Sequence, residues 1–176
     1  MTTNAPVARS APRSWWGATA LVLVLGIVLG FGARSVLVEQ RQADVANRGA
    51  QVMPFDLEHT THIFEPTDSG GIQRVTADDP NDTEQIVLIR AHLQAETVKF
   101  QAGDFSDPAA IHGADMPGLA ELRASSDRIQ VQYHDLPDGA QISYTTADAT
   151  LIDALHRWFD AQLADHGDHA APGMEH

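Results

Sequence analysis

The chain has 176 residues, no cysteine and a formal net charge of −13. Without cysteine it cannot form disulfides, a thiolate nucleophile or a cysteine-based zinc site, so any metal must be bound by His, Met, Asp or Glu. Residues 49–176 carry 22 acidic against six basic residues, and we expect no nucleic-acid partner because a domain this acidic repels the phosphate backbone.

The N-terminal region predicts a membrane anchor. Residues 14–33, "SWWGATALVLVLGIVLGFGA", contain no charge, and twenty helical residues reach across a hydrocarbon core of about 30 Å. We interpret them as an uncleaved signal anchor in the cytoplasmic membrane, with residues 1–13 cytoplasmic and the acidic domain extracytoplasmic. A cleaved signal peptide is the alternative. The G-x-x-x-G pair Gly26 and Gly30 indicates a homodimer.

Composition divides the remainder of the chain into three parts. Residues 34–52 are polar and predict a juxtamembrane stalk. Residues 53–164 predict the exported domain. Residues 165–176, "DHGDHAAPGMEH", predict a flexible acidic tail rich in histidine.

The exported domain contains two similar segments, which predict two β-hairpins. Residues 61–78 align with residues 131–148 at an offset of 70, which superposes the "TAD" of residues 76–78 on the "TAD" of residues 146–148. A turn signal stands in each, "PTDSGG" in the first and "LPDGA" in the second.

An amphipathic helix is predicted after each hairpin, capped by Asn81 in the first unit and Asp148 in the second. The apolar stripes are Ile86, Ile89, Leu93 and Phe100, then Leu151, Leu155, Trp158 and Phe159. The predicted fold class is therefore α+β: a duplicated β-β-α unit that gives a four-stranded antiparallel sheet with two helices on one face.

Histidine and methionine stand at four positions that predict a metal site. His62 shares a strand face with Phe64, His92 lies at the edge of a helical stripe, and the loop "AIHGADMPG" holds His112 and Met116. Imidazole and thioether ligands together suit copper, with zinc as the second choice. The alternative is that these residues pack in the interior without a metal.

Further candidates are ranked behind these four. His59 and His156 are additional imidazoles, and Glu96 and Asp115 are carboxylates that would orient a ligand. The tail adds three weak ligands: His166, His169 and His176.

Four stretches resemble a group of short, single-pass bacterial membrane proteins of unestablished function: "TTHIFEPTDSGG", "LIRAHL", "GDFSDPAAIHGADMPGL" and "DALHRWFDAQLADHG". The resemblance covers residues 53–168. Members of this group are sometimes labelled aspartate carbamoyltransferase. We reject that label here because the enzyme requires an S-x-R-T phosphate loop, and the sequence has none.

The sequence thus predicts a membrane-anchored extracytoplasmic protein that binds a metal, most plausibly copper, for handling or delivery. A metal-free envelope domain that docks a membrane or exported protein partner is the alternative. Motifs of nucleophilic, phosphate-binding and zinc-protease enzymes are absent from the sequence. An enzyme is therefore the less favoured class.

Overall fold

The computed structural model describes the backbone of residues 16–173 and the side chains of residues 34–173. The predicted cytoplasmic segment 1–13, every side chain of the predicted anchor 14–33 and His176 lie outside these limits, and so do the contacts of the Gly26–Gly30 pair. Judged on the described residues, no helix is both long and apolar enough to cross a membrane.

The chain divides after Glu39 into two compact units. Helix α1 (Trp16–Val52) runs through this boundary, and its part from Gln40 onward belongs to the second unit. There Val45 is buried, at 1% exposure. The structure therefore differs from the prediction of a stalk over residues 34–52, because the C-terminal part of this segment packs into the domain core.

A five-stranded sheet forms the centre of the second unit. Its strands are β1 (Thr60–Thr67), β2 (Gly70–Ala77), β3 (Gln130–Leu136), β4 (Gly139–Thr145) and β5 (Ala170–Pro172). The order is β3-β4-β2-β1-β5, in which β1 to β4 pair antiparallel. The predicted α+β class is confirmed.

The fifth strand corrects two predictions. β5 pairs parallel with β1, through the register His62 to Ala170, so the sheet is mixed rather than purely antiparallel. Without β5, one edge of β1 would be unpaired in the observed order, and such an edge is a template for another strand. The segment predicted to be a flexible tail from residue 165 onward therefore contains ordered structure as far as residue 173.

Two long helices, α2 (Thr83–Gln101) and α5 (Ala149–His166), pack against the sheet. α2 contacts β3 and β4, and α5 contacts β1 and β2. Every residue of the two predicted apolar stripes is buried. Asp148 caps α5 as predicted, but α2 is capped by Asp82, whose carboxylate accepts from the Gln85 backbone N–H, and not by Asn81.

The two hairpins correspond at an offset of 69, one less than the sequence match indicated. Thr67 pairs with Gly70 next to the first turn, and Leu136 pairs with Gly139 next to the second. Sequence identities at an offset of 70 therefore compare opposite faces of the sheet, because a shift of one residue along a strand inverts its faces. At an offset of 69, His62 corresponds to Val131, and both are buried.

The helices correspond at an offset of 66, counted from their capping residues Asp82 and Asp148. His156 is then equivalent to Arg90, and not to His92, the histidine of the first helix, with which an offset of 64 would align it. The contacts agree: His156 Nε2 lies 2.9 Å from Gly70 O at the first turn, and Arg90 donates to Gly139 O, 3.1 Å away, at the second. Each long helix thus binds the hairpin turn of the other half.

Between the halves lie two short helices, α3 (Ser106–His112) and α4 (Leu119–Ala124). The loop between them contains Gly113 and Gly118, which have positive φ values of 104° and 80°. A side chain at Gly118 would bring its Cβ to 2.0 Å from Ala154 O, so glycine allows α4 to begin directly against α5.

Candidate functional site

An internal cavity of about 40 Å³ lies between the sheet, α2, α3 and α5. It is large enough for a few water molecules or for one ion with a water ligand. Its wall combines apolar core residues with an unusual set of polar ones: Gln73, Glu96, Asp107, Gln162 and the four histidines His62, His92, His112 and His166.

Two of the imidazoles stack in the interior. His62 reaches the cavity from β1, where the alternation of the strand turns it inward with Phe64. His166 is the last residue of α5, and its ring lies 4.6 Å from that of His62, with 16° between the ring planes. His62 Nδ1 has no hydrogen-bond partner among the described residues.

His112 is held in a chain of polar contacts. It ends α3, and its Nδ1 lies 3.1 Å from Oδ2 of Asp165. Asp165 in turn accepts hydrogen bonds from Arg41 of α1, whose Nε and Nη2 lie 2.5 and 2.8 Å from the two carboxylate oxygens. The His112 ring also meets that of His166 edge-on, with 5.0 Å between centroids.

Helix α2 supplies His92 and, one turn later, Glu96. This spacing places both side chains on one helical face, and both line the cavity. Glu96 is 5% exposed and binds Lys99 Nζ at 2.8 Å, while Lys99 also pairs with Asp107.

Burial keeps the imidazoles of the cavity neutral. It lowers the pKa of His62 to about 3, with further lowering from His92 and His112, and it lowers the pKa of His92 to about 4. The pKa of His166 falls well below its ordinary value for the same reason. Burial likewise raises the pKa of Glu96 to about 7, against the opposing effect of Lys99.

The segment "AIHGADMPG" contains two of the four primary candidates, His112 and Met116, and only His112 lines the cavity. His112 lines the cavity, as do His62 and His92. Met116 is 5% exposed and belongs to the hydrophobic core, and the cavity wall does not include it. Asp115 is exposed, so it does not orient a buried ligand.

The remaining candidates occupy different environments. His59 is exposed and lies 3.2 Å from Asp56, and His156 donates to the first hairpin turn. Of the predicted tail ligands, His166 lines the cavity, whereas Nε2 of His169 lies 3.4 Å from Oε1 of Glu58.

Sequence reasoning missed Gln162 and Asp165. Gln162 precedes His166 by one helical turn, so the i, i+4 spacing was a usable signal once α5 was known to extend to residue 166. Asp165 was assigned to the tail. Its role depends on Arg41 and His112, which are distant in sequence, and no local pattern reveals such a contact.

The cavity wall contains unpartnered polar atoms. Three buried side-chain nitrogens lack a hydrogen-bond partner in the described part of the chain, and all three belong to residues that line this cavity: His62 Nδ1, Trp158 Nε1 and Gln162 Nε2. A buried polar group without a partner costs about 1–3 kcal/mol, so their concentration at one place indicates a site where water or a ligand supplies the missing contacts.

The present side-chain positions do not form a finished metal site. Over the described residues, no group of three or more His, Asp or Glu side chains is arranged to hold one ion. The ring spacings are nevertheless suitable: two imidazoles on a tetrahedral ion with metal–nitrogen distances of about 2.0–2.1 Å have centroids roughly 5 Å apart. The observed spacings are 4.6 and 5.0 Å.

No protein-family model, curated protein or solved structure matches this chain. Function is therefore inferred from the cavity and from the side chains around it.

Proposed function

We propose that the protein binds one divalent transition-metal ion in the histidine-lined cavity. The observation that carries this proposal is the convergence of four histidines and Glu96 on one cavity, whose lining residues also include the three that carry unpartnered buried nitrogens in the described part of the chain. Neutral imidazoles are the ligand form that metals require, and burial lowers the pKa values of all four histidines.

His62, His112 and His166 are the proposed primary ligands, and His92 and Glu96 complete the set. Binding requires one of the stacked rings of His62 and His166 to turn about its Cβ–Cγ bond, because two parallel rings cannot direct nitrogens at one ion. Trp158 and Gln162 carry N–H groups, which need an acceptor rather than a cation. These two groups would therefore be satisfied by an acceptor other than the ion, and they are not counted among its ligands.

The donor set also bears on the identity of the metal. The prediction of copper rests partly on Met116, which does not line the cavity, although a different methionine, Met53, does. Imidazole with carboxylate suits Zn²⁺ and Cu²⁺, whereas thioether selects Cu⁺. Because the wall offers four imidazoles and two carboxylates against the single thioether of Met53, we propose a divalent ion, with copper in its Cu²⁺ state and zinc as the two candidates.

Competition against a chelator during equilibrium dialysis tests the proposal. The full chain in detergent micelles is dialysed against Zn²⁺, Cu²⁺ and Ni²⁺, with His176→Gln present in every sample to reduce binding by the tail. We expect one tightly bound equivalent of Zn²⁺ or Cu²⁺.

Matched variants locate that equivalent. His62→Val and His166→Gln each remove a cavity imidazole, and both should abolish tight binding. His134→Gln removes an exposed histidine of β3 and should leave binding unchanged. Loss of the same equivalent in His134→Gln, or an equivalent retained in both cavity variants, would contradict the proposal.

We further propose that the two β-β-α halves of the domain arose by duplication. We also propose that residues 14–33 anchor the protein in the cytoplasmic membrane, with the domain on the outer side. The uncharged sequence of residues 14–33 and the resemblance to single-pass proteins support the anchor. Resistance to carbonate extraction and protease cleavage of a C-terminal tag in spheroplasts would support it. Release into the soluble fraction would contradict it.

A further inference from the structure

We propose that Asp165 is a positioning residue, which fixes His112 in the tautomer that binds metal and is itself held by Arg41 of α1. This inference rests on the proposed function for its consequence, but the hydrogen-bond geometry that carries it is independent of any metal.

The first step concerns the proton between Asp165 and His112. The Arg41 guanidinium donates to both oxygens of Asp165, with Nε 2.5 Å from Oδ1 and Nη2 2.8 Å from Oδ2, and this paired contact is the one an ionised carboxylate makes. An ionised carboxylate can only accept hydrogen bonds. The proton between Oδ2 and Nδ1, 3.1 Å apart, therefore belongs to Nδ1 of His112.

The second step concerns the other ring nitrogen. The His112 side chain is buried, at 2% exposure, and its Nδ1 is used in the hydrogen bond to Asp165. A neutral ring with its proton on Nδ1 has a lone pair on Nε2, which is the atom available to an ion. A carboxylate behind a ligand histidine fixes the tautomer and ring orientation and increases ligand basicity.

The third step concerns what holds Asp165 and α3 in place. Arg41 binds both carboxylate oxygens of Asp165, which is the strongest form of this contact. Arg48, seven residues further along α1, donates to Ile111 O at 2.5 Å, one residue before His112. Two arginines on one face of α1 thus fix the end of α3 from which His112 projects.

The tautomer can be measured without metal. In the metal-free full chain with ¹⁵N-labelled histidine, long-range ¹H–¹⁵N correlation should show His112 protonated at Nδ1. Asp165→Asn replaces an acceptor with an amide that can donate, so the Nε2-protonated form should gain population. Asp168→Asn changes an exposed carboxylate three residues further on and should change neither the tautomer nor metal affinity.

Metal affinity provides the second readout. Asp165→Asn should weaken binding of Zn²⁺ about 10–100-fold, and Arg41→Gln should weaken it less, because the carboxylate remains. If Asp165→Asn fails to fold, the wild-type tautomer and Arg41→Gln still decide the question. Wild-type His112 protonated at Nε2, or unchanged affinity in Asp165→Asn, would overturn the inference. If the wild type binds no metal, the proposed function fails, while the tautomer still shows whether Asp165 orients His112.

Discussion

The two β-β-α halves of the domain contribute different chemistry from equivalent positions. By strand register and helix caps, the pairs are His62 with Val131, His92 with Trp158 and Glu96 with Gln162. The first half has an ionisable side chain at each position, whereas the second has none. Because the second half forms the same hairpin and helix without these groups, the fold does not require them. The proposed metal site would account for their presence in the first half.

The largest effect is expected from making the first half like the second at one position. His62→Val removes a proposed ligand and should lower affinity for Zn²⁺ at least about 100-fold, more than the loss of an orienting partner. The free energy of unfolding at pH 7 should be maintained, because valine replaces a buried atom without a partner. Chelator competition and urea unfolding measure the two quantities. Unchanged affinity would show that the difference between the halves is not a matter of metal binding.

Acid should destabilise the domain through the same histidine. The pKa of His62 is about 3 in the folded state, below the value of about 6.5 for an unfolded chain. Below pH 6.5 the unfolded state therefore binds a proton that the folded state does not, and stability falls as the pH falls. From pH 7 to pH 5 this histidine alone should cost about 2 kcal/mol.

Urea unfolding at the two pH values, in the absence of metal, checks this expectation. His62→Val should reduce the loss by about 2 kcal/mol, and the exposed control His134→Gln should not. If the free energy of unfolding falls equally in His62→Val and in the wild type, His62 is not buried in its neutral form.

The two halves can also be compared at their hairpin turns, each of which accepts hydrogen bonds from one polar side chain, Arg90 or His156. Arg90 makes charged hydrogen bonds to Leu136 O and Gly139 O, so Arg90→Ala should lower the free energy of unfolding by about 2 kcal/mol. His156→Ala removes one ring N–H donor, against the several guanidinium donors of Arg90, and should cost about 1 kcal/mol. Thermal unfolding of the metal-free variants measures both. A larger loss in His156→Ala would reverse the expected order of the two contacts.

The smallest effect concerns the start of α2. Asp82→Ala should cost about 1 kcal/mol because the carboxylate accepts from the Gln85 backbone N–H. The neighbouring Asn81→Ala removes only an exposed side-chain hydrogen bond to Asp79 and should cost less, about 0.5 kcal/mol. Chemical denaturation distinguishes them, and equal costs would indicate that both residues share the cap.

Much of the fold was predictable because the controlling signals are local. The turn sequences located both hairpins, and helical periodicity identified the buried stripes of α2 and α5. The register was not predictable, since chance identities such as the two "TAD" sequences align one residue away from the observed pairing. β5 was missed because three residues give no periodicity, and their pairing depends on a free edge of β1.

The candidate site was predictable only in part, for a related reason. Strand alternation turned His62 inward, and helical spacing placed His92 beside Glu96. Met116 was chosen for its ligand chemistry, but a buried methionine is compatible with both core and site, and only packing decides between them. The contacts of Asp165 join α5 to His112 of α3 and Arg41 of α1. They could not be predicted from the sequence because they depend on how these three helices pack in the tertiary structure.

The most direct test of a metal centre in this cavity is the X-ray absorption spectrum of the full chain loaded with one equivalent of Zn²⁺, in the His176→Gln background. We predict at least three imidazole ligands at about 2.0–2.1 Å, a signature that disappears in His62→Val and persists in His134→Gln. A hydrated ion, or the same spectrum in His62→Val, would place the metal elsewhere and contradict the proposal.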